Sequence, residues 1–193
     1  MNTPIYVHEK EVFWGEIAPT EHIVHLYADD TAFLDMLEGF VAGGLRGGES
    51  VIVLGTDDHV FALNHRLLAR GINLESARKR DQYLVINADD FLAKFMVNGW
   101  PDEQRFKDAV TEVLGRAGRT GRRVRAFGEM VAILWAKGLS GATVRLEFLW
   151  NQLREEIPFP LFCAYPKSGF TQDSEESLKE ICAAHTKVVR NRD

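Results

Sequence analysis

The chain has 193 residues, 46% of them apolar and 26% charged, with a formal net charge of −5. These values fit one globular domain with short arms, exclude disorder, and disfavour wholesale nucleic-acid binding while leaving room for a local basic patch. A chain of this size buries most of the surface it would expose unfolded, so neither a disulfide nor a metal is required for it to cohere.

Residues 1–20 read as an N-terminal arm, in which Val12, Phe13 and Trp14 can dock on the chain's own domain or on a neighbouring copy. His8, Glu9, Lys10 and Glu11 interrupt any apolar core there, so the arm is not a signal peptide, and no stretch approaches the ~20 apolar residues of a spanning helix. From His22 onward, strand-like and helix-like periods alternate, giving a domain over 21–190. His22–Tyr27 is short and rich in β-branched and aromatic residues, as a first strand should be. Asp30 then offers an N-cap, and Phe33, Leu34, Leu37, Phe40, Val41 and Leu45 recur at helical spacing until Gly47 and Gly48 stop the helix. Ser50–Leu54 is an almost continuous apolar run, the pattern of a central strand covered on both faces. Thr56 can cap the next helix, whose apolar positions include Val60, Leu63 and Leu67.

A short helix around Leu74–Lys79 leads to a third strand, Tyr83–Ile86, and then to helices around Asp89–Met96 and Pro101–Ala117, with Pro101 in the first turn. Val124–Phe127 reads as a fourth strand running into the helix Met130–Ala136. Ser140 opens a longer helix that carries Leu146, Leu149, Trp150 and Leu153 on one face. Phe159–Tyr165 is the fifth strand, with Pro160 at its start or on an edge, and a final helix carries Leu178, Ile181, Cys182, His185 and Val189. Repeated β-then-α order with long crossovers predicts an α/β fold, a three-layer mostly parallel sheet flanked by helices. The two cysteines, Cys163 and Cys182, lie in apolar runs without a CxxC spacing and read as reduced thiols of a cytoplasmic protein.

One stretch nearly matches a phosphate loop. Gly43–Ser50 fits GxxxxGK[ST] except that Glu49 replaces the lysine. A working loop leaves a strand and opens a helix, whereas this one leaves a helix and enters a strand, and a carboxylate at the lysine position repels phosphate. The proper place for such a loop, Gly55–His59, has one glycine, two acids and no lysine. ATP hydrolysis by that route is therefore not expected.

Several segments together resemble the MEDS family, the sensory domain named for methanogens, methylotrophs and a dichloromethane-responsive regulator. They are His22–Tyr27, Gly44–Glu49 before an apolar strand, Phe127–Met130, Leu146–Leu153 and Cys163–Pro166, and the likeness runs from about residue 20 to 190. The resemblance implies a RecA/KaiC-like fold with a degenerate phosphate loop, serving as a non-catalytic input module that binds a small organic ligand. Members are often fused to histidine kinases or DNA-binding domains. This chain ends at Asp193, so its message is expected to act on a separate signalling protein such as a histidine kinase or transcription regulator.

Ligands in open parallel sheets collect beyond the carboxyl ends of strands. The residues expected there are Tyr27, Asp29, Thr56, Asp57, His59, Asn87, Asp89, Glu129 and Tyr165, with Glu129 the most pointed candidate because it directly follows a strand. Its structural alternative is a carboxylate complementing a helix N-terminus. Glu147, Asn151 and Arg154 fall at i, i+4 and i+7, a stripe that reaches inward toward a ligand or, more commonly, forms an exposed ion-paired face. His22 and His25 have an HxxH spacing, but residues three apart on a strand point to opposite faces, so one ion cannot take both. A metal site would need partners such as Glu129, Cys163 or His185. On the default reading His185 is a core histidine, and Phe127, Met130, Trp135, Trp150, Phe162 and Tyr165 are mostly core with one or two free to line a pocket. Arg116, Arg119, Arg122, Arg123 and Arg125 crowd one predicted turn and read as a solvated basic surface.

The expected ligand-binding set is His22, His25, Tyr27, Thr56, Asp57, Phe127, Glu129, Glu147, Trp150, Asn151 and Tyr165, with no catalytic residue, metal ligand or cofactor. Two other functions stay open: a protein-interaction module, compatible with a homo-oligomer, and a residual nucleotide-binding enzyme or hydrolase with Glu129 as general base.

Overall fold

A computed structural model describes residues 3–169 and 175–190. Seven parallel strands form the main sheet in the order β1-β9-β2-β8-β7-β3-β4. They are β1 (Ile5–His8), β2 (His22–Tyr27), β3 (Ser50–Gly55), β4 (Tyr83–Asn87), β7 (Val124–Gly128), β8 (Leu161–Pro166) and β9 (Lys187–Arg190). A separate two-stranded antiparallel ribbon pairs β5 (Met96–Val97) with β6 (Trp100–Pro101).

Side-chain alternation along each strand divides the core into two. Ile23, Val51, Val53, Phe127 and Phe162 face α1 (Asp30–Arg46), α2 (Asp57–Ala69) and α3 (Leu74–Lys79). Val24, Ile52, Leu54, Leu161 and Cys163 face α4 (Ala88–Ala93), α5 (Glu103–Gly118), α6 (Met130–Ala136), α7 (Ser140–Glu156) and α8 (Glu175–Ala183). The architecture is the expected three-layer α/β fold, with helices covering both faces of the sheet. Among the described residues, no helix is long and apolar enough to cross a membrane.

The five strands expected from the sequence are the five contiguous ones, β2-β8-β7-β3-β4. The other two lie at one edge. The final helix ends at Ala183 rather than continuing to Val189, because Val188 and Val189 turn to opposite faces of β9 and both are buried. The spacing from His185 to Val189 imitated a helix only because this strand is covered on both sides. The arm supplies the edge strand: β1 pairs in parallel with β9. Three smaller readings also shift. Asp29, not Asp30, caps α1 by accepting from the Ala32 N–H at 2.9 Å. Pro101 lies in the ribbon, and Asp102 caps α5. The helix expected over Asp89–Met96 is the shorter α4, capped by Asn87.

The near-miss phosphate loop has a packing explanation. Helix α1 ends at Arg46, and Gly48 takes φ +77° to turn the chain into β3. A Cβ on Gly43 would lie 2.3 Å from the Trp14 carbonyl oxygen, and one on Gly44 2.7 Å from Arg125 Cδ. These glycines therefore admit the arm and a buried arginine. Arg125 is fully buried on β7, and its Nε donates to the Glu49 carboxylate. Its other nitrogens donate to the carbonyls of Trp14 at 2.9 Å, Phe40 at 3.0 Å and Gly15 at 3.2 Å. The carboxylate at the lysine position thus serves a guanidinium. Trp14 packs beneath it, with ring centroids 5.5 Å from Phe40 and 5.3 Å from Phe162.

The basic segment is a solvated surface, as expected, except at Arg125: Arg116, Arg119 and Arg123 stay exposed while each finds a partner. Arg116 and Arg119 both pair with Asp81, Arg122 donates to the Arg80 carbonyl, and Arg123 donates to that of Ile17. Arg125→Met strands a buried carboxylate and three carbonyls and should cost about 3–5 kcal/mol of unfolding free energy. Glu49→Gln should cost less, because the guanidinium keeps its carbonyl partners. Urea titration of both variants, with proteolysis of the arm as a second readout, tests that ranking.

Candidate functional site

Two polar constellations are embedded in this frame, on opposite faces of the sheet. The first lies at the carboxyl ends of β3 and β7. Thr56 stands at the N-terminus of α2, but its hydroxyl caps no backbone N–H of that helix. It donates instead to the Glu129 carboxylate, at 3.1 and 3.2 Å. The Thr56 N–H donates to Glu129 Oε2 at 2.7 Å, and His59 Nδ1 lies 2.6 Å from Oε1.

Glu129 therefore complements a helix N-terminus, as its sequence position suggested, but that of α2 rather than of α6, which it precedes. The negative charge occupies the positive end of the α2 dipole. That hydrogen bond with Glu129 raises the His59 pKa above its ordinary value, against the opposing effect of burial. Tyr27 stacks on Phe33 at 5.0 Å, and Phe33 meets the His59 ring at 4.8 Å. Burial raises the Tyr27 pKa, with Glu129 adding to the effect. Asp57 and Asn87 join this rim through a 2.9 Å hydrogen bond, whereas Asp89 is exposed and paired with Lys137.

The second constellation is buried between the sheet and helices α7 and α8. It unites His22 from the start of β2, Cys163 from β8, Glu147 from α7 and His185 from the α8–β9 turn. One ligand atom from each lies within 4.8 Å of the others, and all four residues are buried. His22 Nε2 is 3.5 Å and His185 Nε2 3.6 Å from Glu147 Oε2, while Cys163 Sγ is 3.6 Å from His22 Nε2 and 4.0 Å from Glu147 Oε2.

The groups around the cluster orient its members. Asn151 Nδ2 donates to the Ala184 carbonyl at 2.8 Å, which leaves its Oδ1 to accept from His22 Nδ1 at 2.9 Å. His185 Nδ1 donates to the Ile181 carbonyl at 2.6 Å. Both imidazoles thus carry their proton on Nδ1 and aim a bare Nε2 into the cluster. The Tyr165 hydroxyl donates to Glu147 Oε1 at 2.5 Å, turning Oε2 inward.

Burial dominates the proton affinities here. It drives the His22 pKa well below the ordinary histidine range and that of His185 down to about 3. It pushes Glu147 up to about 8 and the Cys163 thiol higher still. The close histidine–glutamate contacts are accordingly not ion pairs near neutral pH, since neither histidine is charged.

A groove of about 520 Å³ opens beside this cluster, lined by Thr20, Asn151, Arg154, Glu155, Pro158 and the turn from Ala183 to Thr186. His185 and Asn151 belong to both the groove and the cluster. Of the expected ligand-binding residues, Thr56, Asp57, Glu129 and Tyr27 gather at the strand ends, and His22, Glu147, Asn151 and Tyr165 gather in the buried cluster. His25 belongs to neither. It points to the opposite face from His22, as strand geometry requires, and its Nε2 lies 2.5 Å from Glu9 Oε1 in the arm. Phe127 and Trp150 are core residues on opposite faces.

The stripe Glu147–Asn151–Arg154 faces inward, which corrects the expectation of an exposed face. Glu147 is 1% and Arg154 9% exposed, with Arg154 Nε donating to the Phe159 carbonyl. Cys163 and His185, left out of the expected set, are central to the cluster. Alternation with Leu161 and Tyr165 marked Cys163 as inward-facing, and its apolar neighbours marked His185 as buried, but nothing local placed the two beside each other.

The raised His59 pKa has a definite consequence. Its stabilising contribution is complete below the unfolded value near 6.5 and is lost as pH rises through the higher folded value. Wild type should exceed His59→Gln by about 1.5–3 kcal/mol near pH 6, as for a charge-assisted hydrogen bond, and the gap should narrow toward pH 9. Paired urea titrations across that window would contradict the assignment if the gap widened with pH.

A search of curated proteins returns no match. The family model for the MEDS domain, described as the MEthanogen/methylotroph, DcmR Sensory domain, matches residues 21–186. That span takes in both constellations and all the main-sheet strands except β1 and β9. The chain belongs to the MEDS family of sensory domains.

Proposed function

We propose that this chain is a non-catalytic sensor whose small organic ligand binds in the groove between α7 and the α8–β9 turn, and whose response acts on a separate signalling protein such as a histidine kinase or transcription regulator. The observation that carries the reading is the lining of that groove. An open cavity of about 520 Å³ is walled by the polar side chains of Thr20, Asn151, Arg154 and Glu155 together with the turn from Ala183 to Thr186. Ligand sites combine a concave surface with a few convergent polar groups in this way.

The groove lies near the amino ends of β2 and β9, away from the strand ends where nucleotides bind in related architectures. Two features support a scaffold that has lost its grip on phosphate. The Thr56 N–H at the head of α2 is already donated to the Glu129 carboxylate, and Glu49 is paired with Arg125. They also weigh against Glu129 as a general base, because both carboxylate oxygens are held by Thr56 and His59.

Differential scanning fluorimetry with small alcohols, amines and halomethanes tests the proposal. A compound present at 100 times its Kd should stabilise the protein by about 2.7 kcal/mol. Ala183→Trp fills the groove from an exposed position and should abolish that shift while leaving the unliganded melting point nearly unchanged. A panel without any shift, or a shift that survives Ala183→Trp, would remove the groove from consideration.

A further inference from the structure

We propose that His22 Nε2, His185 Nε2, Cys163 Sγ and Glu147 Oε2 form a tetrahedral binding site for a zinc-type divalent transition-metal ion. This goes beyond the groove-binding reading and does not depend on it.

The distances carry the first part of the argument. Contacts of 3.5 and 3.6 Å between the histidine nitrogens and Glu147 Oε2 are too long for hydrogen bonds between nitrogen and oxygen. They match the edges of a tetrahedron around one ion, which are about 3.3–3.6 Å for metal–nitrogen, metal–oxygen and metal–sulfur bonds of ordinary length. The 3.6 Å contact between Cys163 Sγ and His22 Nε2 fits as well, and the wider spacings, 4.0 Å between Cys163 Sγ and Glu147 Oε2 and up to 4.8 Å across the set, would contract on binding.

The second part is an unmet need. His185 is 2% exposed, its Nδ1 is committed to the Ile181 carbonyl, and its Nε2 has no partner although it points at three other donor atoms. Leaving a buried nitrogen lone pair unmatched costs about 1–3 kcal/mol, and coordination removes that cost.

Third, the surroundings are those of a ligand set. Each ligating imidazole donates its other N–H to a fixed acceptor, Asn151 for His22 and the Ile181 carbonyl for His185, while Tyr165 holds the outer oxygen of Glu147. Two neutral imidazoles, a thiolate and a carboxylate balance a dication, so the occupied site carries no net charge into the core. Cys163 and Glu147 would release their protons on binding. A nitrogen, sulfur and oxygen donor set in tetrahedral array suits zinc and disfavours magnesium or calcium, which take oxygen ligands in larger number. The adjoining groove, bounded by His185 and Asn151, supplies a path for the ion.

Metal analysis of the purified full chain, grown with added zinc and passed over a gel-filtration column, should find close to one zinc per chain. Chelator-stripped protein should melt at a higher temperature on adding zinc and not on adding magnesium. Cobalt(II) titrated into stripped wild type should give intensified tetrahedral visible bands and a near-ultraviolet thiolate charge-transfer band. Cys163→Ser should lose that charge-transfer band, and Cys182→Ser should keep it. Asn151→Ala should weaken zinc binding by about 10–100-fold, the usual effect of removing a group that orients a metal ligand. Substoichiometric zinc with no melting shift overturns the proposal. So does a wild-type cobalt spectrum without the thiolate band, a result that requires no variant to fold.

Discussion

A parallel sheet covered by helices on both faces takes the polar side chains between its layers away from bulk water, and the architecture of this protein follows from that constraint. Every polar group drawn into the core must find its partner there or leave a deficit. Arg125 is the largest such group. Its guanidinium is fully buried, and four acceptors converge on it: Glu49 and the carbonyls of Trp14, Gly15 and Phe40. Two of those carbonyls belong to the N-terminal arm. Satisfying one buried charge therefore also pins the arm against α1, with Gly43 and Gly44 making the space.

The same constraint separates the two polar constellations. At the strand ends, Glu129 is satisfied several times over, by the Thr56 amide and hydroxyl and by His59. A satisfied network rigidifies, and here it ties β7 to the start of α2. The buried cluster under α7 is the opposite case. Its outer atoms are held by Asn151, Ile181 and Tyr165, while the two histidine nitrogens face Glu147 Oε2 at distances too long for nitrogen–oxygen hydrogen bonds. This cluster lies next to the groove, with His185 and Asn151 contributing to both.

The buried cluster joins parts of the chain that are far apart in sequence. The cluster draws on β2, β8, α7 and the α8–β9 turn, four segments distant in sequence that meet at one side of the sheet. Asn151 bridges the cluster to the Ala184 carbonyl, and Thr186 is hydrogen-bonded to the His22 backbone in both directions. The turn that lines the groove is thus tied directly to His22. The turn leads into β9, whose parallel neighbour is the arm strand β1.

Much of this protein was legible in its sequence, because hydrophobic periodicity is a local property. The contiguous strands β2, β3, β4, β7 and β8, the parallel layering, the glycine stop after α1 and the opposite orientations of His22 and His25 all follow from spacing along the chain. The MEDS segments were equally visible as short runs in a fixed order. Distant encounters were not. That Glu49 serves Arg125, that Glu129 caps α2 rather than its own helix, and that His185 meets His22, Glu147 and Cys163 depend on how strands far apart in sequence lie side by side in the sheet. Strand β9 escaped for a related reason: a strand buried on both faces loses its alternation, and Val189 four residues after His185 then imitates a helix. The sequence determined which residues face inward, and only the tertiary structure decided which of them meet, because burial is encoded locally whereas partnership is settled by the order of strands across the sheet.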